Sequence, residues 1–284
     1  RPAEMQKTLQ REVSASGKGL FTGEDVRFKI CPAPPGAGIV FQRIDLSGKP
    51  LIPALLSSVN PSPRCTRLSA GSADVYMVEH ILSALSGLEV DNALIQVEGP
   101  EIAAGDGSSQ IFVDLIEEAG LVAQGEKRNL LEIAEPLYWS KGDIHLVALP
   151  SLEFRVSYTL HYPQSALVGS QFYTYSANPD RFKKEIAPCR TFSLYEEIFP
   201  FIEKGIIKGG GLENALVIKG DQIMNPGGVR FPDEMARHKI LDLIGDLALI
   251  GSPIVGHIIS IRSGHASNVA FAKVLSNHTI LEPL

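Results

Sequence analysis

Arg237-His238-Lys239-Ile240-Leu241-Asp242-Leu243-Ile244-Gly245-Asp246 is the stretch on which the fold turns. Ile240, Leu241, Ile244, Leu247 and Ala248 recur at helical spacing, which predicts a helix from His238 to Leu249, stopped by Gly251-Ser252-Pro253. His238 and Asp242 are four apart and leave the same helix face, with Asp246 four further on. Downstream, Ile254 to Ile261 is rich in β-branched residues and reads as a strand. Ser263-Gly264-His265 reads as a loop, and Ala270 to Leu275 starts a closing helix. The same order occurs upstream. Val78-Glu79-His80-Ile81-Leu82 opens a helix with Ile81, Leu82, Leu85 and Leu88 apolar. Ala93 to Val97 is a strand, and a loop from Gly99-Pro100 ends at Asp106-Gly107-Ser108-Ser109. A helix carrying Ile111, Phe112, Leu115, Ile116 and Ala119 then ends near Gly120.

From His80 to Ser108 is 28 positions and from His238 to His265 is 27. This spacing reads as a duplicated strand–helix–strand–loop–helix unit; chance likeness of two ordinary segments is the alternative. The expected class is α+β: two similar βα domains, each a sheet packed with helices, with helices sandwiched between them. Residues 1–126 form the first domain, carrying Glu79 and His80. Residues 127–284 form the second, carrying His238, Asp242 and His265. The two histidines then start equivalent helices and converge at the domain interface, where pockets tend to form.

Further outward, residues 8–14 and 25–31 alternate polar and apolar around turn-rich segments and read as paired strands, with Gly38 to Ile44 another. Tyr138 to Leu149 and Phe154 to Leu160 read as strands. Residues 192–208 read as an apolar helical insert, either well buried or the wall of a long apolar ligand site.

Composition narrows the function classes. The chain has 284 residues, 44% hydrophobic and 20% charged, which supports a sizeable core and excludes global disorder. Net charge is −6 without a run of Lys or Arg, so no nucleic-acid partner is expected. Cys31, Cys65 and Cys189 are odd in number and far apart, unlike a disulfide framework. No apolar run is long enough to span a bilayer, and the N-terminal segment lacks a signal pattern. A cytoplasmic monomer is the expected state.

The chemistry-bearing residues fall around the two histidine helices. His238, Asp242 and His80 form a candidate three-donor metal site with an open fourth position. Packed or surface histidines are the bland alternative. Glu79 adjoins one donor, where a carboxylate takes a proton from water. The metallopeptidase pattern His-Glu-x-x-His is absent, since Ala84 stands four after His80. His265 is placed as a second acid/base group, with Asp246 either its partner or a solvating surface charge. Thr191 is a candidate carbonyl donor, although its local setting reads first as a helix N-cap. Lys239 and Arg262 either face the cleft mouth or are solvated. Gly209-Gly210-Gly211 is too short for a nucleotide-phosphate loop.

Together these motifs resemble the UDP-3-O-acyl-N-acetylglucosamine deacetylases, the zinc amidases of lipid A biosynthesis. The resemblance runs from Gly17-Lys18-Gly19-Leu20-Phe21-Thr22-Gly23 to Ser263-Gly264-His265-Ala266 and includes Val78-Glu79-His80, Asp106-Gly107-Ser108 and Arg190-Thr191-Phe192. It implies Zn2+ held by His80, His238 and Asp242, with Glu79 as general base, His265 as general acid and Asp246 as its orienting partner. It further implies that Thr191 polarises the amide carbonyl and that Lys239 and Arg262 face the substrate diphosphate. Phe192 and Gly210 match substrate-contacting positions, the helical insert after Thr191 forms the passage for the 3-O-acyl chain, and His161 or Tyr162 approaches the nucleotide. The implied reaction is hydrolysis of the N-acetyl amide by water, releasing acetate. Another zinc amidase or peptidase, or a non-catalytic lipid- or nucleotide-binding protein, are the rival readings. The chain departs from the family at Phe21, where His is usual, at Met77 and at Ile102-Ala103-Ala104-Gly105. None of these departures removes a proposed catalytic group.

Overall fold

Alternation of buried and solvated residues builds the first sheet of this computed structural model, which describes residues 4–279. Val26, Phe28 and Ile30 point inward along Asp25–Pro32 while Asp25 and Arg27 face water. The strand order is Val13–Lys18, Asp25–Pro32, Ala93–Glu98, Ile39–Arg43, Leu51–Pro53. Ala93–Glu98 is central, with Ala93, Ile95 and Val97 fully buried. It pairs antiparallel with Asp25–Pro32 and parallel with Ile39–Arg43.

The second sheet runs Leu137–Lys141, Ile144–Leu149, His257–Ile261, Arg155–Tyr162, Gly169–Ser176. Its single parallel pair, His257–Ile261 with Arg155–Tyr162, occupies the same place in the order as that of the first sheet. The protein is thus α+β.

Six α-helices are described: α1 (Glu79–Gly87), α2 (Gln110–Ala119), α3 (Pro179–Arg181), α4 (Tyr195–Glu203), α5 (Glu234–Leu247) and α6 (His265–Thr279). α1 packs on α5, with α2 beside α1 and α6 beside α5, so helices lie between the sheets. Phe112 of α2 meets Phe28 of the first sheet at a ring-centroid distance of 5.6 Å.

Several boundaries differ from the sequence expectation. The segment 8–14 divides between Met5–Leu9 and Val13–Lys18. Met5–Leu9 pairs with Leu121–Lys127 instead of Asp25–Pro32, so the expected domain border falls at the end of a strand. Residues 138–149 form a hairpin turning at Gly142-Asp143, where Gly142 has φ +58°. Residues 254–261 are two strands broken at Gly256. The insert is shorter than 192–208. Phe192–Leu194 is a strand parallel to Leu216–Lys219, and only Tyr195–Glu203 is helical. α5 starts at Glu234, so His238 lies in its second turn and does not open it. α6 starts at His265, which takes that residue out of the loop.

Candidate metal centre

His80 leaves the first turn of α1, while His238, Asp242 and Asp246 form one stripe along α5. Gly245 lets the two helices meet. A Cβ there would stand 2.2 Å from the Glu79 carbonyl oxygen, so the first turn of α1 rests directly on the α5 backbone. The rings of His80 and His238 stand edge to face with centroids 5.0 Å apart. Asp242 Oδ1 lies 3.4 Å from His80 Nε2 and 3.2 Å from His238 Nε2. One donor atom from each of the three lies within 4.8 Å of the others, and all three residues are buried.

Buried polar atoms are nearly always hydrogen-bonded. Here His238 Nε2 and Asp242 Oδ1 have no hydrogen-bond partner. His238 Nδ1–H donates to the Cys189 carbonyl at 2.9 Å, which fixes the tautomer and leaves Nε2 with a free lone pair. Burial alone would raise the Asp242 carboxyl, but His238 and His80 hold it well below the usual carboxylate range. Two imidazole nitrogens and a carboxylate oxygen, converging at the floor of a cleft, fit a divalent ion with one position left for water or substrate.

Glu79 is 1% exposed. Its Oε2 accepts from the Thr66 N–H at 3.1 Å and lies 3.2 Å from His265 Nε2, while Oε1 has no hydrogen-bond partner. Burial pushes its pKa up to about 7, against the pull of His265. At His265 burial acts to lower the pKa, yet Asp246 and Glu79 hold it up at about 10. His265 Nδ1 stands 2.8 Å from Asp246 Oδ2. Asp246 is fully buried and does not solvate a helix surface; it also accepts from the Thr66 hydroxyl at 2.6 Å and from Asn268 Nδ2 at 3.0 Å.

The centre opens into a cleft of about 490 Å³ lined by Glu79, His80, Thr191, Phe192, Gly210, His238, Lys239, Asp242 and His265. Thr191 is no N-cap, since α4 begins four residues later with Leu194 at its cap. The Thr191 N–H donates to the Gly107 carbonyl at 2.9 Å. Arg190 holds this segment in place through the fully buried Glu234, with Nε to Oε2 at 2.9 Å. Lys239 Nζ sits 5.7 Å from the centre of the Phe192 ring. No residue of α4 is fully buried; Tyr195, Ile198 and Ile202 line the cleft instead. Phe21 and Met77 also line the cleft, with Met77 at φ +62°. A Cβ on Gly209 would lie 1.9 Å from the Gly19 carbonyl oxygen, so the segment after α4 rests directly on the backbone just past the strand Val13–Lys18.

Arg262, at φ +61°, is not among the residues lining this cleft, and its guanidinium lies 3.4 Å from the exposed Asp143. His161 is exposed and bonded to Ser170, whereas Tyr162 lines the cleft and donates to Glu197 at 2.8 Å. Sequence reasoning missed Thr66, Asn268 and Arg64. Arg64 lines the cleft at φ +65° with its guanidinium 4.9 Å from the Phe201 ring. None carries a local signal, since Thr66 meets Asp246 across 180 positions of chain.

The family model for UDP-3-O-acyl N-acetylglycosamine deacetylase matches residues 6–277. Curated proteins with the name UDP-3-O-acyl-N-acetylglucosamine deacetylase are similar throughout. The one from Chlamydia pneumoniae is 49% identical over 269 residues, covering 94% of this chain and 95% of that protein. Those from Chlamydia abortus and Chlamydia felis are 45% and 46% identical, covering 98% and 94% of this chain and 98% and 95% of their own lengths.

Proposed function

Because the chain belongs to the UDP-3-O-acyl-N-acetylglucosamine deacetylase family, we propose that this cleft hydrolyses the N-acetyl amide of a UDP-3-O-acyl-N-acetylglucosamine and releases acetate, the deacetylation step of lipid A biosynthesis. The observation that carries the site assignment is the pair of unpartnered donors, His238 Nε2 and Asp242 Oδ1, beside a carboxylate–imidazole pair. His80, His238 and Asp242 would hold Zn2+. When bound, Zn2+ lowers the pKa of water toward ~7 and polarises a carbonyl.

The chain's own groups supply the rest. Glu79 accepts the proton of the attacking water through its open Oε1. The Thr191 hydroxyl, on the cleft wall, donates to the developing oxyanion. His265, kept protonated by Asp246 and Glu79, passes its Nε2 proton to the leaving glucosamine nitrogen. The C–N bond breaks and acetate departs. Lys239 faces the diphosphate. Phe192, Gly210 and α4 form the passage for the 3-O-acyl chain. Arg262, three residues before His265, joins Lys239 at the diphosphate, exchanging its 3.4 Å contact with the exposed Asp143 carboxylate for the phosphate.

The strand order shared by the two sheets supports reading residues 1–126 and 127–284 as two copies of one unit. Among the described residues no helix is long and apolar enough to cross a membrane. A monomer working in the cytoplasm completes the proposal. The test is acetate release from the acyl nucleotide sugar by zinc-replete protein, loss of turnover with chelator, and recovery on add-back. Zinc-replete protein that releases no acetate would overturn the reading.

A further inference from the structure

Thr66 is 3% exposed and lies just before the strand Arg67–Ala70, in the half of the chain that carries Glu79. Its backbone N–H donates to Glu79 Oε2 at 3.1 Å. Its hydroxyl donates to Asp246 Oδ1 at 2.6 Å, and the same oxygen stands 3.2 Å from His265 Nδ1. One residue therefore touches the proposed base, the proposed acid and the carboxylate that orients the acid.

The proton positions follow from donor and acceptor capacity. A threonine hydroxyl has one proton, and a carboxylate accepts only. The proton therefore points at Asp246 Oδ1, and the lone pairs are left toward His265 Nδ1. The other Asp246 oxygen, Oδ2, also faces His265 Nδ1, at 2.8 Å. Both neighbours of Nδ1 are acceptors, so Nδ1 carries a proton and Nε2 is the nitrogen that exchanges one with substrate. Asn268 Nδ2 completes the clamp on Asp246 Oδ2 at 3.0 Å. On the other side, the Thr66 amide and His265 Nε2 occupy Glu79 Oε2 and leave Oε1 open.

We propose that Thr66 is a positioning residue for both proton-transfer groups, its hydroxyl fixing the Asp246–His265 pair and its amide selecting Glu79 Oε1 as the accepting oxygen. This inference rests on the proposed deacetylation. Thr66→Val removes the hydroxyl, keeps the amide and nearly keeps the shape. Misplacing a catalytic group by an ångström slows turnover by up to ~10²-fold. We expect kcat to fall about 10- to 100-fold with KM and bound metal unchanged, on the scale of that principle. Thr66→Ser restores the hydroxyl and should return kcat to near the parent value. On a His265→Ala background, Thr66→Val should cause no further loss, because the two act as one unit.

A Thr66→Val protein with parental kcat overturns the proposal. So does a serine variant as slow as the valine one, or a loss of metal in step with the loss of rate. If the valine variant does not fold, Thr66→Ala against Thr66→Ser makes the same comparison, and equal rates for that pair overturn it. All rates are ratios to acetate release by the parent. An inactive parent therefore counts against the deacetylase assignment, and an active parent matched by Thr66→Val counts against Thr66.

Discussion

Glu79 and His265 stand 3.2 Å apart with opposite demands on their protons. In the proposed reaction the base must be ionised and the acid protonated, and their surroundings arrange both near neutral pH. Burial raises Glu79 to about 7, so activity should climb as pH rises through that value and Glu79 loses its proton. Asp246 and Glu79 hold His265 at about 10 against the effect of burial, so activity should fall as pH approaches it and the acid is lost. The resulting bell in kcat belongs to the pair, and in His265→Gln its alkaline limb should be gone. Glu79→Ala should lower kcat by about 10²–10⁴-fold, the usual range for a general base. Bound metal, read by elemental analysis, should stay unchanged, because Glu79 is not among the three donors. Metal loss in that variant would show that Glu79 supports the centre and not only the chemistry. His238, Asp242 and Asp246 were legible as candidates because spacings of four put them on one face of α5, while Glu79 and His80 stood out only as neighbours at a helix start. Thr66 and Asn268 were not, because the contacts that give them meaning arise only when the two halves meet.

Among the elements, the α1–α5 contact depends on the smallest side chain available. A glycine inside a helix is unfavourable by ~1 kcal/mol relative to alanine. By local propensity alone, Gly245→Ala should therefore stabilise α5. The contact reverses that sign. A methyl group 2.2 Å from the Glu79 carbonyl oxygen must push α1 off α5. Overpacking of this kind costs about 1–3 kcal/mol. Gly245→Ala should lower the melting midpoint and weaken metal affinity together, since the shift carries His80 away from His238 and Asp242. A more stable variant with full metal would show that the helices do not rely on this approach. α4 teaches a different lesson. Phe192 and Leu194 looked helical because a short apolar run has no period that separates helix from strand. Their parallel pairing with Leu216–Lys219 decides the matter. Ile202 on α4 is 46% exposed beside the cleft. Ile202→Asp should raise KM for a long-chain acyl substrate and leave a short-chain one nearly unaffected, measured as paired kcat/KM values. Equal loss on both substrates would remove α4 from the acyl passage.

At the scale of the whole molecule, the candidate metal donors are divided: His80 comes from the first half, His238 and Asp242 from the second. An ion held by all three also holds α1 to α5. Ligands that bind only the folded state stabilise by mass action, about 2.7 kcal/mol at a hundredfold excess over Kd. Chelation should therefore lower the melting midpoint as well as abolish turnover, and zinc add-back should restore both. An unchanged midpoint would mean that the ion does not bridge the halves. The α+β class was readable from alternating patterns and glycine-rich turns. The closure of Met5–Leu9 on Leu121–Lys127 was not, because pairing over so long a separation leaves no local trace. That closure has a consequence for how the protein comes into being. Translation delivers His80 well ahead of His238, and domains fold as units, N-terminal first, while synthesis continues. The first half can seal its own ends while the ribosome is still making the second. Only one of the three candidate donors exists during that interval, so a site built from all three forms only after the second half has been made. A prematurely terminated product ending before residue 238 would carry His80 without the other two candidate donors.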